Sequence, residues 1–243
     1  MICRMDAIST VLVTDEQADF EVLPEFQRFN QKDDVFRRSW WDPRVRTEKA
    51  KQFYDTSRQS LKTWRRGDGF TQKDYALRNA AWHVSDWFTE YKEDQNRREG
   101  FTDEFSLYRD VADERLDLGS PEQAAIEIKR VARAFGADDV GITHADVRWL
   151  YTKKFSDLTG EEKEQELPES LGHVIVVAQA MDYELIKTVP SALSGTATGL
   201  GYSKDAMVVL SVAQYIRNLG YNAVASMNDT SLTIPLAIKA GLG

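Results

Sequence analysis

Two side chains of this sequence could do chemistry together: Tyr202, in the stretch GLGYSKDA that begins at Gly199, and Asn228, twenty-six residues later. A phenol can donate a proton, and a carboxamide both donates and accepts hydrogen bonds. If a helix starts at Tyr202 and the strand YNAVASMND returns, the start of the helix and the end of the strand lie at the same edge of the layer. The spacing therefore indicates one shared pocket.

Each of these residues also has a structural interpretation. A Tyr at a helix entry often packs on the following turn. Asn228 and Asp229 are residue types that commonly cap a helix, and a helix is predicted directly after them. Residue types and spacing alone leave both interpretations open.

Other catalytic signatures are absent from the sequence. The glycines around Gly199 form neither GxGxxG after a strand nor GxxxxGK[ST], and the serines lack a GxSxG elbow. The three histidines, His83, His144 and His173, show no spacing typical of a triad or a metal site. These patterns argue against a nucleotide-binding protein and against a hydrolase.

Composition narrows the class of protein further. The net charge of −8 and the pI near 5.1 predict no nucleic-acid partner, because phosphate contacts need a surplus of Lys and Arg. Cys3 is the single cysteine, so the chain alone builds no disulfide and ligates no iron–sulfur cluster. There is no apolar run long enough for a membrane segment and no secretory signal at the start, so we expect a cytoplasmic protein.

The first part of the chain, residues 1–118, is charged, irregular and rich in tryptophan. The stretch from Thr71 to Asp94 carries apolar residues close to helical spacing, which predicts a helix whose aromatic side packs on something larger. We therefore predict a helical, Trp-rich region packed on a core formed by residues 119–243.

From Ser120 onward the pattern is typical of an α+β core. Ser120, Pro121 and Gln123 predict a capped helix start, and strands are expected at 140–143 and from His173, the latter central in the sheet. The stretch 183–203 contains three glycines and is predicted to be a long loop, followed by a helix over 204–219. A short strand and a last helix near Pro235 complete the core. The helix after Tyr202 is expected to bury the following residues: Ala206, Val209, Leu210 and Ala213.

Three segments together resemble the corrinoid-dependent reductive dehalogenases: PEQAAIEIKRVARAFGADDVGIT, GLGYSKDAMVVLSVAQYIRNLGYNAVASMND and SLTIPLAIKAGLG. They are more distantly similar to the epoxyqueuosine reductases, which share the corrinoid-binding architecture. The resemblance covers most of 120–243 and extends more loosely over the amino-terminal part. It implies a nitroreductase-like corrinoid-binding core.

The resemblance also implies roles for individual residues. Tyr202 matches the proton donor beside the cobalt, Asn228 matches a residue that lines the substrate pocket, and Thr198 would lie on the same pocket wall. The implied activity is reductive removal of halide from a small organohalide, with corrinoid (cobalamin) as cofactor and an external electron donor. Gly199 and Gly201 would then let the backbone approach the flat macrocycle closely.

The family pattern normally continues past AGLG with a basic residue that lowers the pKa of the Tyr and with ligands for two [4Fe-4S] clusters. We therefore expect a chain that is incomplete before the iron–sulfur part. Two alternatives stay open, an epoxyqueuosine reductase-like enzyme and a non-catalytic corrinoid-binding module. Against the first stand the acidic composition and a Tyr where that family uses an acidic proton donor.

Overall fold

A four-stranded antiparallel sheet lies at the centre of the fold in the computed structural model, which describes residues 2–3, 20–51, 67–94, 111–156, 159–164, 171–227 and 230–242. The strands are β1 (Ile2–Cys3), β2 (Asp139–His144), β3 (Lys153–Phe155), β4 (Glu162–Glu164), β5 (His173–Ala178) and β6 (Ala223–Val224). The order in the sheet is β2-β5-β1-β6, and β3 and β4 form a separate antiparallel pair. The predicted mixed α+β class is confirmed at this level.

Six α-helices are present in the described ranges. They are α1 (Val35–Trp41), α2 (Gln72–Asp94), α3 (Pro121–Ala134), α4 (Tyr183–Ile186), α5 (Ala192–Asn218) and α6 (Thr233–Lys239). Single 3₁₀ turns lie at Gln31–Asp33 and Val147–Trp149.

Helix α3 begins where the sequence predicts. The Ser120 hydroxyl accepts a hydrogen bond from the Gln123 amide, and the Gln123 side chain accepts one from the Ser120 amide. Pro121 occupies the first turn, and Gly136 follows the helix with a positive φ of 107°. The predicted capped start is therefore confirmed, and Gly136 ends the helix in the left-handed conformation that glycine adopts most easily.

Strand β5 is central, as predicted, because it pairs with β2 on one side and with β1 on the other. Val174 and Ile175 are buried, whereas 176–178 are only partly buried. Helix α5 packs next to the sheet and contributes Val208, Val212 and Ile216 to the core. Among the residues predicted to be buried on this helix, Ala206, Val209 and Ala213 are buried, and Leu210 is partly buried.

The prediction of a long loop over 183–203 is wrong. Helix α4 occupies its first residues, and α5 starts at Ala192, so that 192–203 are helical. The Ser191 side chain caps α5 by accepting a hydrogen bond from the Ser194 amide. Glycines favour loops through their intrinsic propensity, but tertiary packing overrides that preference in this helix.

Helix α2 packs along α5, although the face that it presents differs from the predicted one. Arg78, Ala81 and Ser85 are buried, and Trp82 is partly buried. Trp87, on the opposite side, is 51% exposed. An aromatic side chain of this helix therefore does pack on a larger element, as predicted, but that side chain is Trp82 and not Trp87.

The two predicted regions share the sheet, since β1 from the first region pairs with β5 and β6. The boundary between 1–118 and 119–243 stays a prediction. Among the described helices, none has the length and apolarity that crossing a membrane requires.

Candidate active site

Tyr202 lies inside α5 as its eleventh residue, and not at the start of a helix as the sequence suggested. Its ring stacks on the indole of Trp82, with the ring centroids 5.0 Å apart and an angle of 26° between the planes. The phenol is therefore carried by a continuous helix and held by an aromatic neighbour from α2. A side chain with such support keeps one orientation better than one on a loop.

The glycines around Tyr202 allow α2 and α5 to approach closely. A Cβ atom added at Gly199 would lie 2.5 Å from Cδ1 of Trp82, and one at Gly195 would lie 2.9 Å from Nε of Arg78. The backbone oxygen of Gly195 accepts a hydrogen bond of 3.0 Å from Nε1 of Trp82. The expectation that Gly199 leaves room for a macrocycle is therefore wrong, because the Trp82 indole fills that space.

Ser203, the residue after Tyr202, ties the two helices together a second time. Its hydroxyl donates to the backbone oxygen of Ala81 at 2.6 Å and accepts from the amide of Ser85 at 3.3 Å. Two polar links and one aromatic stack thus fix the part of α5 that carries Tyr202.

Thr198 and Tyr202 are four residues apart on α5 and therefore lie on the same side of the helix. Continuing at helical spacing, Asp205 and Val209 extend this line. We call Thr198, Tyr202, Asp205 and Val209 the Tyr202 stripe. The Thr198 hydroxyl is partly buried and donates to the backbone oxygen of Ser194 at 3.4 Å, which orients it along the helix.

Asp205 is a member of the stripe that the sequence analysis missed. It faces a cavity of about 70 Å³ between α5, strand β5 and the connection from β6 to α6. Its Oδ1 atom is buried and has no hydrogen-bond partner among the described residues. Burial in this mostly apolar surrounding raises the pKa of the carboxyl group to about 6.

Asn228 lies outside the described residues, so its predicted place beside Tyr202 stays a prediction. The two residues before it, Ser226 and Met227, line the Asp205 cavity together with Val209 of the stripe. The chain segment that leads to Asn228 therefore reaches the cavity at the end of the Tyr202 stripe.

A pair of histidines was also missed. His144 of β2 and His173 of β5 are directly opposite in the antiparallel register, with ring centroids 4.9 Å apart. Cross-strand neighbours can be found from sequence only when the register is known. In the described part of the chain, no group of three or more His, Cys, Asp or Glu side chains could hold a metal ion.

The cavity beside Asp205 is too small to enclose a corrinoid. The cavity of about 70 Å³ admits molecules of the size of water, whereas pockets for drug-sized ligands measure ~300–1,000 Å³ and a corrinoid is larger still. Gly201, the remaining glycine of the predicted approach, has open space beside it. It lies on a different face of α5 from Tyr202, because one residue is a rotation of ~100°.

Sequence comparison relates the chain to enzymes of one kind. It is 35% identical to a tetrachloroethene reductive dehalogenase of Dehalobacter restrictus, over 51% of this chain and 29% of that protein. A protein of the same name from Sulfurospirillum multivorans is 27% identical over 52% of this chain and 30% of its own length. The chain thus spans less than a third of these relatives. No family model matches it.

Structure comparison agrees at the level of the fold. A catabolic reductive dehalogenase matches 100% of this chain over 29% of its own, with a TM-score of 0.59 and 21% identity. A second reductive dehalogenase structure, which suggests a mechanism for B12-dependent dehalogenation, matches with a TM-score of 0.60 and 20% identity. The α+β arrangement described above is therefore that of one part of a larger fold.

Proposed function

We propose that this chain forms the proton-donor part of a cobalamin-dependent reductive dehalogenase acting on a small organohalide. The similarity to tetrachloroethene reductive dehalogenases supports the reaction class. One observation carries the assignment within this chain. The ring of Tyr202, on α5, stacks on Trp82 of α2. Tyr202 also lies in line with Thr198 and with Asp205, whose carboxyl group faces a cavity.

The proposed reaction replaces a carbon–halogen bond by a carbon–hydrogen bond. It consumes two electrons from an external low-potential donor and one proton, and it releases halide. The corrinoid would supply the electron chemistry, and this chain would supply the proton. The Tyr202 phenol is the proposed source of that proton.

Positioning is the contribution that the described residues make to such a transfer. The stack on Trp82 and the Ser203 hydroxyl link restrict the motion of Tyr202 relative to α2. A fixed donor avoids the entropy loss that a mobile side chain would incur in the transition state. We propose Thr198 and Asn228 as residues of the substrate pocket next to it and the cytoplasm as the location of the protein.

The test is Tyr202→Phe in corrinoid-loaded protein that also carries the C-terminal part expected from the family pattern. The initial rate of halide release is measured per bound cobalt under a low-potential chemical reductant. General-acid catalysis contributes ~100- to 10,000-fold, so we expect a loss in that range. Corrinoid content and the visible spectrum should stay unchanged, because the ring and its stack on Trp82 are kept.

Tyr215→Phe is the matched control. Tyr215 lies on the same helix, and its hydroxyl donates to Glu127 at 2.7 Å, so its loss removes a phenol that has a structural partner. We expect the rate per cobalt to stay within about twofold of wild type. Equal rates for wild type and Tyr202→Phe would refute Tyr202 as the donor. Cobalt bound without any halide release would instead favour the non-catalytic corrinoid-binding module.

A further inference from the structure

Asp205 combines three features that no structural role explains. Its Oδ1 atom is buried without a hydrogen-bond partner among the described residues, and none of the ion pairs described for this part of the chain includes it. It lies three residues after Tyr202 on α5, and side chains at that spacing are neighbours on the helix surface. A buried carboxyl group without a partner lowers stability, so its presence calls for a functional reason.

The cavity beside Asp205 is suited to proton movement. Its volume of about 70 Å³ accommodates a small number of water molecules. Its lining includes Ser226, Ser231 and Thr233, which carry hydroxyl groups that can both donate and accept hydrogen bonds. The lining therefore combines apolar residues with residues that can form hydrogen bonds with water.

No second charged side chain lines the cavity among the described residues. Lys204, next to Asp205 on α5, is exposed. The carboxyl group is thus governed mainly by its own desolvation, which keeps it protonated to higher pH than an ordinary Asp.

We propose that Asp205 is the residue that returns a proton to Tyr202 after each turnover, drawing it from solvent through the adjoining cavity. This inference rests on the proposed function, in which Tyr202 loses its proton to the product. The Asp205 O–H bond then breaks, the proton binds the phenolate oxygen of Tyr202, and the carboxylate regains a proton from hydronium or a buffer acid in the solvent. The transfer is favourable because a carboxyl group with a pKa of about 6 is a stronger acid than a phenol.

The first test needs neither corrinoid nor activity. In protein with ¹³C-labelled Asp and Tyr, we expect the Asp205 carboxyl signal to titrate near pH 6, and the Tyr202 ring signal to show an inflection at the same pH. The Tyr202 inflection should vanish in Asp205→Asn and persist in Asp68→Asn, which removes the same charge at an exposed position. Titration of Asp205 at an ordinary Asp value, or a Tyr202 signal without the inflection, would overturn the proposal.

The second test separates proton return from proton donation. In corrinoid-loaded Asp205→Asn, halide release in the first turnover should stay within about twofold of wild type, whereas the steady-state rate should fall about tenfold or more. Asp205→Glu should recover part of the steady-state rate. An unchanged steady-state rate, or a first turnover that falls equally, would refute Asp205 as the proton source. Wild-type protein that releases no halide would refute the proposed function, and the titration would then still decide whether the two residues share a site.

Discussion

Replacing Gly199 by Ala tests whether close packing of α2 on α5 holds the Tyr202 site in place. The added Cβ would lie 2.5 Å from Cδ1 of Trp82 and 2.8 Å from its Cγ and Nε1. Favourable contacts between carbon atoms are ~3.5–4.0 Å, so the helices must separate by about 1 Å or the indole must move. Either change strains the hydrogen bond to Gly195 and the stack on Tyr202.

Gly201→Ala is the matched control, because a Cβ there has no atom within 4 Å. Both substitutions replace glycine by a better helix former, which raises the free energy of unfolding by ~0.5–1 kcal/mol in each variant. This gain therefore cancels when the two variants are compared. The remaining difference is the cost of overpacking, ~1–3 kcal/mol. We expect Gly201→Ala to be more stable than wild type and Gly199→Ala to be less stable than Gly201→Ala by that amount.

Thermal unfolding followed by circular dichroism measures this difference. For a chain of this size, ~1 kcal/mol corresponds to ~2–4 °C in Tm. Adding Trp82→Ala to Gly199→Ala should cost less than the two single changes together, because the clash requires both side chains. Equal melting temperatures for the two glycine variants would refute the close packing of α2 and α5 at Gly199.

Two further predictions concern stability. Burial raises the pKa of Asp205 from 3.8 to about 6, so the folded state disfavours the ionised form, and stability is lost as the pH rises from about 4 through 6. A shift of this size corresponds to ~3 kcal/mol, which we reduce to ~1–2 kcal/mol because the residue is only partly buried. Asp205→Asn should therefore exceed wild type in stability by that amount at pH 8 and match it near pH 4, and a constant difference in urea unfolding across this range would contradict the assignment. Ser120→Ala removes the capping box of α3 and should lower the free energy of unfolding by ~0.5–2 kcal/mol, whereas no change would show that the cap is dispensable.

The sequence was sufficient where local signals and burial agree. The start of α3 is specified by Ser120, Pro121 and Gln123, whose capping preferences do not depend on the rest of the fold. The position of β5 follows from a continuous apolar run, which favours a central strand. In both cases the local pattern and the tertiary structure require the same residue types.

The sequence was insufficient where a glycine is compatible both with a loop and with a helix that another helix contacts closely. In 192–203, local propensity predicts a loop, but Gly195 and Gly199 are needed in a helix because another helix contacts them. Only the position of Arg78 and Trp82, more than a hundred residues earlier in the chain, distinguishes the two cases. For the same reason Asp205 was not identified from the sequence. A helix that starts only at Tyr202 does not include Thr198, so the line from Thr198 through Tyr202 to Asp205 could not be predicted.

Because Tyr202 lies inside α5, different residues determine its position than a loop would have implied. A phenol at a loop corner would be positioned by its own short segment, and mutations elsewhere would affect it little. In α5 its position depends on Trp82, and the position of Trp82 depends on Gly195 and Gly199. Proton donation is sensitive to displacements of about 1 Å, so substitutions in α2 that never touch a substrate should lower the rate of the first turnover. Asp205→Asn leaves that packing intact and should lower only the rate of the later turnovers. Kinetics can thus separate the positioning of Tyr202 from the return of its proton by Asp205.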